Sequence, residues 1–511
     1  MSGMQTTTVD PVPSPPQETI IIATAAPPPE PRKPAVTTNN RGYFTRINKQ
    51  NYASYTGEKM GLHSREVDVF IDTLLPVFFL FIYGGMDLAA SLGWSQPYSV
   101  LLFTEYSYCW FVGVIIGALA ATLTMTFLPK LVYYVFGALM QLTGSIIFTA
   151  APADYSACLA ARYLAGLGIG LITVPFLIHN AEVASSNLRG VNGGMEQCGL
   201  ALGICFQVIF TTEWTSLIDS NPNEIHGILG IIVSLFGLAM TALVVESPIF
   251  FLRRNMENRA KHSQEKLLSH NPGGVSAALK EARRYVAESD NRTLGEELVA
   301  SVMPFLKMLL FRCLVAFSFS LPLTMSIISS TAVAEKGLSL WPIYLFGVLR
   351  GIGVMVAFLF VDTLGRKAVS LVGLLVMAGL MLGLAGLYAN VTNLISFNLM
   401  TSACNIGLAF QVFAGLFVCS SSAYMGEAFP MRVKSFLVGV IVIIEQIVHI
   451  VVIACVSSVP SQDFFFQYFL AVGIIMLVGM IFFTVSMPET KKMTLRKAGQ
   501  RFQKWYDLQM Y

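Results

Sequence analysis

Arg350 lies at the centre of the apolar run 339–361, and the stretch Leu345 to Lys367, LFGVLRGIGVMVAFLFVDTLGRK, carries no other charge before Asp362, Arg366 and Lys367. The run is long enough to cross lipid, at about 20 residues per crossing. A guanidinium at that depth costs roughly 2.5 kcal/mol or more. It must therefore face a water-filled path or a carboxylate, or be tied to neighbouring carbonyls. The chemistry open to it is solute recognition or charge pairing, not bond cleavage. Glu445, mid-way along a later apolar run, is the expected counter-charge, with Gln446 beside it and His449 one turn along. A lone histidine there reads first as a hydrogen-bonded structural residue and second as a proton relay. Glu196 and Asp72 sit near the inner ends of their runs, where contact with solvent is expected.

Composition places these charges in a membrane protein. Hydrophobic residues make up 54% of 511 and charged residues 12%, against about 25% charge in a soluble chain. Mean hydropathy is +0.63. A net charge of +3 gives no case for a nucleic-acid partner. The eight cysteines lie in apolar runs without a CxxC pair, so they read as packing residues, not disulfides or a metal site. No nucleotide loop, metal cluster or catalytic triad supports an enzyme, and no cofactor is expected.

The elements that must position the charges are twelve apolar segments, near 68–90, 103–127, 131–150, 157–178, 191–211, 226–245, 308–331, 339–361, 368–388, 397–424, 435–457 and 464–486. Residues 1–66 form a tail with nine prolines between Pro11 and Pro34, a composition that favours disorder. Basic residues concentrate in the loops after even-numbered segments and in the C-terminal tail, which places both termini in the cytoplasm. In this topology the sequon at Asn390 falls outside and is a glycosylation candidate. The resulting organisation is an N-terminal six-helix bundle (67–252), a cytoplasmic helical linker (253–307), a C-terminal six-helix bundle (308–487) and a tail (488–511). In the linker, Glu265–Leu268 and Ser276–Val286 have helical spacing, and Asn271-Pro272-Gly273-Gly274 is expected to break it. Six spans and six spans around a midplane site is a transporter arrangement.

Ordered words along 68–490 resemble the sugar porter family of the major facilitator superfamily. Arg162, Gly166, Gly168 and Gly170 match RxxxGxGxG; Glu182 and Arg189-Gly190 match E…RG; Glu246-Ser247-Pro248 resembles PESP. Asp362-Thr-Leu-Gly365-Arg366 resembles DxxGR, Glu427-Ala-Phe-Pro430 with Arg432 resembles E-x-F-P…R, and Pro488-Glu489-Thr490-Lys491 resembles PETK. Gly93-Trp94-Ser95-Gln96-Pro97 is similar to the GWSSP of insect trehalose transporters. The resemblance implies an all-α major facilitator fold and alternating access. It also implies a cytoplasmic latch of Glu182, Arg189, Asp362, Arg366, Glu427 and Arg432 that favours the outward-open state. The other reading of those charges is that they merely set topology.

Several positions depart from the family. The D-R-x-G-R-R loop is replaced by Thr126 to Leu131 with Lys130 as its one basic residue, so Glu182 has only Lys130 and Arg189 to pair with. The span-seven amides become Ser318, Ser320, Thr324 and Ser326. The span-ten aromatic is lost among Val418, Cys419, Ser421 and Ser422. The family tyrosine before Glu182 is His179, and its span-eight asparagine is Arg350. Gln197 keeps a sugar-binding position. The expected solute cavity is lined by Gln197, Ser326, Arg350, Ser422 and Gln446. Asp87 and Arg162 fall where proton-coupled relatives carry an aspartate and its arginine; alternatively, Asp87 caps a helix at the outer interface.

The leading function is transport of a sugar or sugar-like solute, facilitative or proton-coupled, with the bilayer, a small solute and, if transport is coupled, protons as the expected partners, in the plasma membrane. Arg350 also admits an organic-anion transporter. The weakened first latch admits a sensor that no longer transports.

Overall fold

The computed structural model describes residues 74–96, 98, 103–214, 221–268, 272–456 and 461–509. The Pro-rich tail, Asp72 and the start of the first span lie outside them. The first bundle comprises α1 (Leu75–Ser91), α2 (Thr104–Thr124), α3 (Lys130–Ala150), α4 (Tyr155–Val183), α5 (Arg189–Glu213) and α6 (Pro222–Met240). The linker carries α7 (Pro248–Leu252), α8 (Glu257–Leu267) and α9 (Pro272–Asp290). The second bundle comprises α10 (Leu294–Phe317), α11 (Leu321–Ala334), α12 (Trp341–Phe360), α13 (Arg366–Tyr388), α14 (Phe397–Val418), α15 (Ser421–Ala428), α16 (Met431–Cys455) and α17 (Gln462–Ser486), and α18 (Leu495–Phe502) follows. Eleven spans among the described residues are long and apolar enough to cross a membrane; α1, with 17 residues, is the shorter twelfth.

Two spans are broken. α10 and α11 form one span interrupted at Ser318–Ser320, and α14 and α15 form one interrupted at Cys419–Ser420. Pro322 in the first turn of α11 suits a restart, because its missing N–H has no helical partner there. Such breaks are tolerated at depth only where protein or a cavity satisfies the backbone.

The two bundles repeat one packing scheme. α1 packs on α5, α2 on α4, α3 on α4, and α3 on α6; correspondingly, α10 packs on α16, α12 on α14, α13 on α14, and α13 on α17. The bundles meet through α5 with α12 and α2 with α16, which are equivalent pairs under the repeat. Apolar side chains such as Ile116, Leu123, Leu359 and Val478 remain exposed on the outer surface, as a lipid-facing wall requires.

Two expected boundaries move. α10 begins at Leu294 and runs unbroken through position 307, where the linker was expected to end. Thr293 and Glu296 form a reciprocal capping box that starts it: Thr293 N–H donates to the Glu296 carboxylate (2.9 Å), and Glu296 N–H donates to Thr293 Oγ1 (3.3 Å). The expected breaker Asn271–Gly274 is in part a helix start, since Pro272 opens α9.

The glycines of α4 explain its position at the centre of its bundle. A Cβ on Gly166 would lie 2.2 Å from the Trp110 carbonyl oxygen, and one on Gly170 would lie 2.2 Å from that of Val114, both on α2. Gly168 faces the other way, with a Cβ 2.7 Å from the Gly137 carbonyl oxygen of α3. The i, i+2, i+4 spacing thus lets two neighbours approach one helix, where lipid offers no hydrophobic drive for association. Gly166→Val is expected to lower the thermal unfolding midpoint of the purified protein, at a cost of at least about 1–3 kcal/mol, because backbone cannot rotate away as a side chain can. An unchanged midpoint would contradict this packing.

Candidate transport site

Arg350 projects from α12 into a cavity between the bundles, buried at 3% exposure. The cavity holds about 60 Å³ of free space, and its wall includes Gln197, Arg350, Gln446 and His449. That is room for about two waters, so a solute fits only when the bundles move apart. Phe319 is part of that wall, and Phe346 and then Trp94 pack behind it, with successive ring centroids 6.1 and 5.9 Å apart.

The expected Arg350–Glu445 pair does not form. Arg350 donates to the Ser318 carbonyl (3.2 Å) and to Ser318 Oγ (3.0 Å), and its Nε has no partner. The break after α10 is what supplies that carbonyl. Phe319 stacks beneath the guanidinium at 5.6 Å. Glu445 instead accepts from Arg312 Nε at 2.7 Å. Arg312 also donates to Glu196 at 3.2 Å and to Ser421 Oγ at 3.3 Å. Glu196 is therefore buried, at 2% exposure, and not in contact with solvent as expected. Arg312 was missed because a span starting at 308 places it in the first turn, among residues that can reach an interface. The unbroken α10 places it deep in the bundle instead.

Two expected lining residues stand behind the wall. Ser326 hydrogen-bonds Tyr388 at 2.9 Å in the second bundle. Ser422 donates to Glu196 and so holds a cavity residue without lining the cavity. His449 makes no hydrogen bond among the described residues; its ring stacks on Phe111 of α2, centroids 4.8 Å apart and 12° from parallel.

Asp87 and Arg162 meet inside the first bundle. Arg162 Nη1 lies 3.2 Å from Asp87 Oδ1, with both side chains fully buried. Arg162 further donates to the Tyr106 carbonyl at 2.9 Å and to Ser91, and lies over the Tyr106 ring at 4.6 Å. His226, at the start of α6, was not weighed from the sequence. Its Nε2 lies 3.4 Å from Asp87 Oδ1 and its Nδ1 lies 2.8 Å from Gln207 Oε1. The Gln207 amide nitrogen donates to the Trp94 carbonyl at 2.8 Å, which leaves Oε1 as an acceptor and makes His226 Nδ1 the donor. A neutral ring would then turn the bare Nε2 lone pair toward the carboxylate. One proton, on His226 or on Asp87, makes that approach attractive.

The charges at the linker face fall into two groups. Glu427 accepts from Arg189 of the first bundle at 2.8 Å and from Arg366 of the second at 2.7 Å. Asp362 accepts from the backbone N–H groups of Gly190 (3.2 Å) and Val191 (2.9 Å) at the start of α5, and lies 3.3 Å from Arg366. These contacts join the bundles. Glu182 stays within the first bundle, where Lys130 lies 3.0 Å from it and 3.1 Å from Glu246. Arg432 is outside the buried latch: it is a surface residue 3.9 Å from Asp290, with 39% of its side chain exposed. Asn390 is exposed on the face away from the linker, its Oδ1 accepting from Thr392 N–H at 3.2 Å.

Two repeated six-helix bundles flanking a small cavity that polar side chains enter, latched across one face, define a membrane transporter of the major facilitator fold. The model of the family described as "Sugar (and other) transporter" matches residues 44–502, and the chain belongs to that family. It is similar to the chicken facilitated glucose transporter member 1, 28% identical over 240 residues, covering 44% of this chain and 47% of that one. It is also similar to the chloroplastic D-xylose-proton symporter-like 3 of Arabidopsis thaliana, 24% identical over 425 residues, covering 77% and 73%. Among solved structures, the proton:xylose symporter XylE of E. coli, bound to 6-bromo-6-deoxy-D-glucose, superposes with a TM-score of 0.65 at 16% identity, covering 85% of this chain and 98% of that one.

The ion contacts set a double-mutant test. Glu445→Ala is expected to destabilise the protein only modestly, because Glu196 still pairs with Arg312, whereas Arg312→Ala, which strands both carboxylates, should cost about 3–5 kcal/mol. Combined with Arg312→Ala, the loss should be smaller than the sum; combined with Arg350→Ala, the two losses should add. Thermal unfolding of the five variants, three single and two double, measures both couplings, and coupling to Arg350 but not to Arg312 would reverse the assignment.

Proposed function

We propose that the protein moves a sugar or sugar-like small solute across the membrane by alternating access, and that Asp87 is its proton site. The observation that carries this reading is the small cavity between the bundles, whose largely apolar wall carries a few polar groups: Gln197 and Gln446 offer amides and Arg350 offers donors that suit hydroxyl oxygens. The latch at Glu427 and Asp362 must break for the linker face to open. The basic residues of that face support placing it, with both termini, in the cytoplasm, and the opposite loop with Asn390 outside, at the plasma membrane. A second reading, an organic-anion solute, is favoured by the absence of a carboxylate partner for Arg350 among the described residues.

Uptake of labelled hexoses, pentoses, polyols and carboxylates by the purified protein in vesicles separates these readings. Sugar or polyol uptake driven by an inward proton gradient is expected. Asp87→Asn should abolish the response to the gradient while counterflow persists. Uptake confined to carboxylates would establish the second reading, and gradient-independent uptake would leave a facilitator.

A further inference from the structure

Glu196, Arg312 and Glu445 form a charge cluster that the transport reading above does not use. Glu196 comes from α5 in the first bundle, and Arg312 and Glu445 come from α10 and α16 in the second. Their side chains are 2%, 3% and 7% exposed. One guanidinium bridges the two carboxylates, at 3.2 Å and 2.7 Å. The remaining contacts to the cluster are neutral: Ser422 donates to Glu196 Oε2, and Ser421 Oγ accepts from Arg312. Glu445 Oε1 has no hydrogen-bond donor among the described residues, and Glu445 lines the cavity.

The charge count decides what this site binds. With both carboxylates ionised, the cluster carries one uncompensated negative charge in a site nearly without water, and an unpaired buried charge is neutralised in preference to being kept. The groups facing it supply no second cation. Arg350 on α12 is hydrogen-bonded to Ser318 and to neither carboxylate. His449, one turn along α16, stacks on Phe111, and Cys313 is the thiol next to Arg312. α1, α2 and α4 present Phe81, Trp110 and Thr173 to the cavity, none of which carries a charge.

We propose that Glu196 and Glu445 together hold one proton, bound at the cavity-facing oxygen of Glu445, and that this proton is part of the gate between the bundles. Binding converts one carboxylate to a carboxylic acid, and the other remains the ion partner of Arg312. When the bundles part at this level, Glu196 leaves with α5 while Arg312 and Glu445 stay together. The separated pair is then balanced one to one, Glu196 meets water, and the proton is released. The site is distinct from Asp87, which lies within one bundle. Its role in gating rests on the alternating-access reading, but the bound proton does not.

Infrared difference spectroscopy of the purified full-length protein, without solute, tests the proton directly. A protonated carboxylic C=O band, shifted on exchange into D₂O, is expected at neutral pH. It should disappear in Glu196→Gln and in Glu445→Gln, because either change leaves one carboxylate for one guanidinium. Asp87→Asn should leave this band in place. Absence of the band in the parent protein would overturn the proposal, as would a band lost only in Asp87→Asn. If one glutamine variant fails to fold, the other decides the assignment. Failure of sugar uptake alongside the expected spectra would overturn the solute reading and not the proton site.

Discussion

The structure depends on one constraint: an ion taken out of water must find its counter-charge or enough hydrogen bonds inside the protein. Arg162, Arg312 and Arg366 are each matched to a carboxylate within 3.3 Å. Arg350 is matched to the Ser318 carbonyl, which has no helical donor where its neighbouring span is broken before Pro322. These pairings determine which helices can sit side by side at which depth. They also separate the contacts that hold one bundle together from the contacts that must be remade when the bundles move.

Close helix approach is what makes the pairings reachable. α4 carries Arg162, and its glycines bring α2 against it, so Arg162 can reach the Tyr106 carbonyl at the start of α2. α5 uses the same device toward α1, where a Cβ on Gly203 would lie 1.9 Å from the Ile82 carbonyl oxygen. The α1 segment that carries Asp87 is thereby fixed from two sides. Packing and electrostatics are one requirement here, since a wider helix spacing would leave the guanidinium short of its partners.

Features that depend on position along a helix were legible in the sequence: the spans, their alternation, Asp87 with Arg162, and the latch words around Arg189, Asp362 and Glu427. Features that depend on azimuth around a helix, or on where a span begins, were not. Glu445 was identified as needing a cation, but Arg350 and Arg312 both lay in apolar runs, and only the orientation of α10 and α12 chooses between them. The T-x-x-E capping signal at Thr293 was present and would have lengthened α10 enough to put Arg312 at depth. Ser326 and Ser422 were placed in the cavity by counting, but each faces a polar partner inside the second bundle or across the interface. His226 gave no signal beyond being a histidine at a span end. Its role follows from the acceptor assigned to Gln207, which only coordinates reveal.

The two buried acid sites answer differently to bundle motion. Asp87, Arg162, Ser91 and His226 all belong to the first bundle, so rocking one bundle against the other leaves their contacts in place. A charge change at Asp87 reaches the second bundle only through neighbours. The contacts available run from His226 to Gln207, from Gln207 to the Trp94 carbonyl, and from the Trp94 ring to Phe346 on α12, 5.9 Å away. The Glu196–Arg312–Glu445 cluster spans the interface itself, so the same motion dismantles it. A site that survives the motion can hold a proton in both states, whereas a site that the motion dismantles must exchange its charge at the moment of opening.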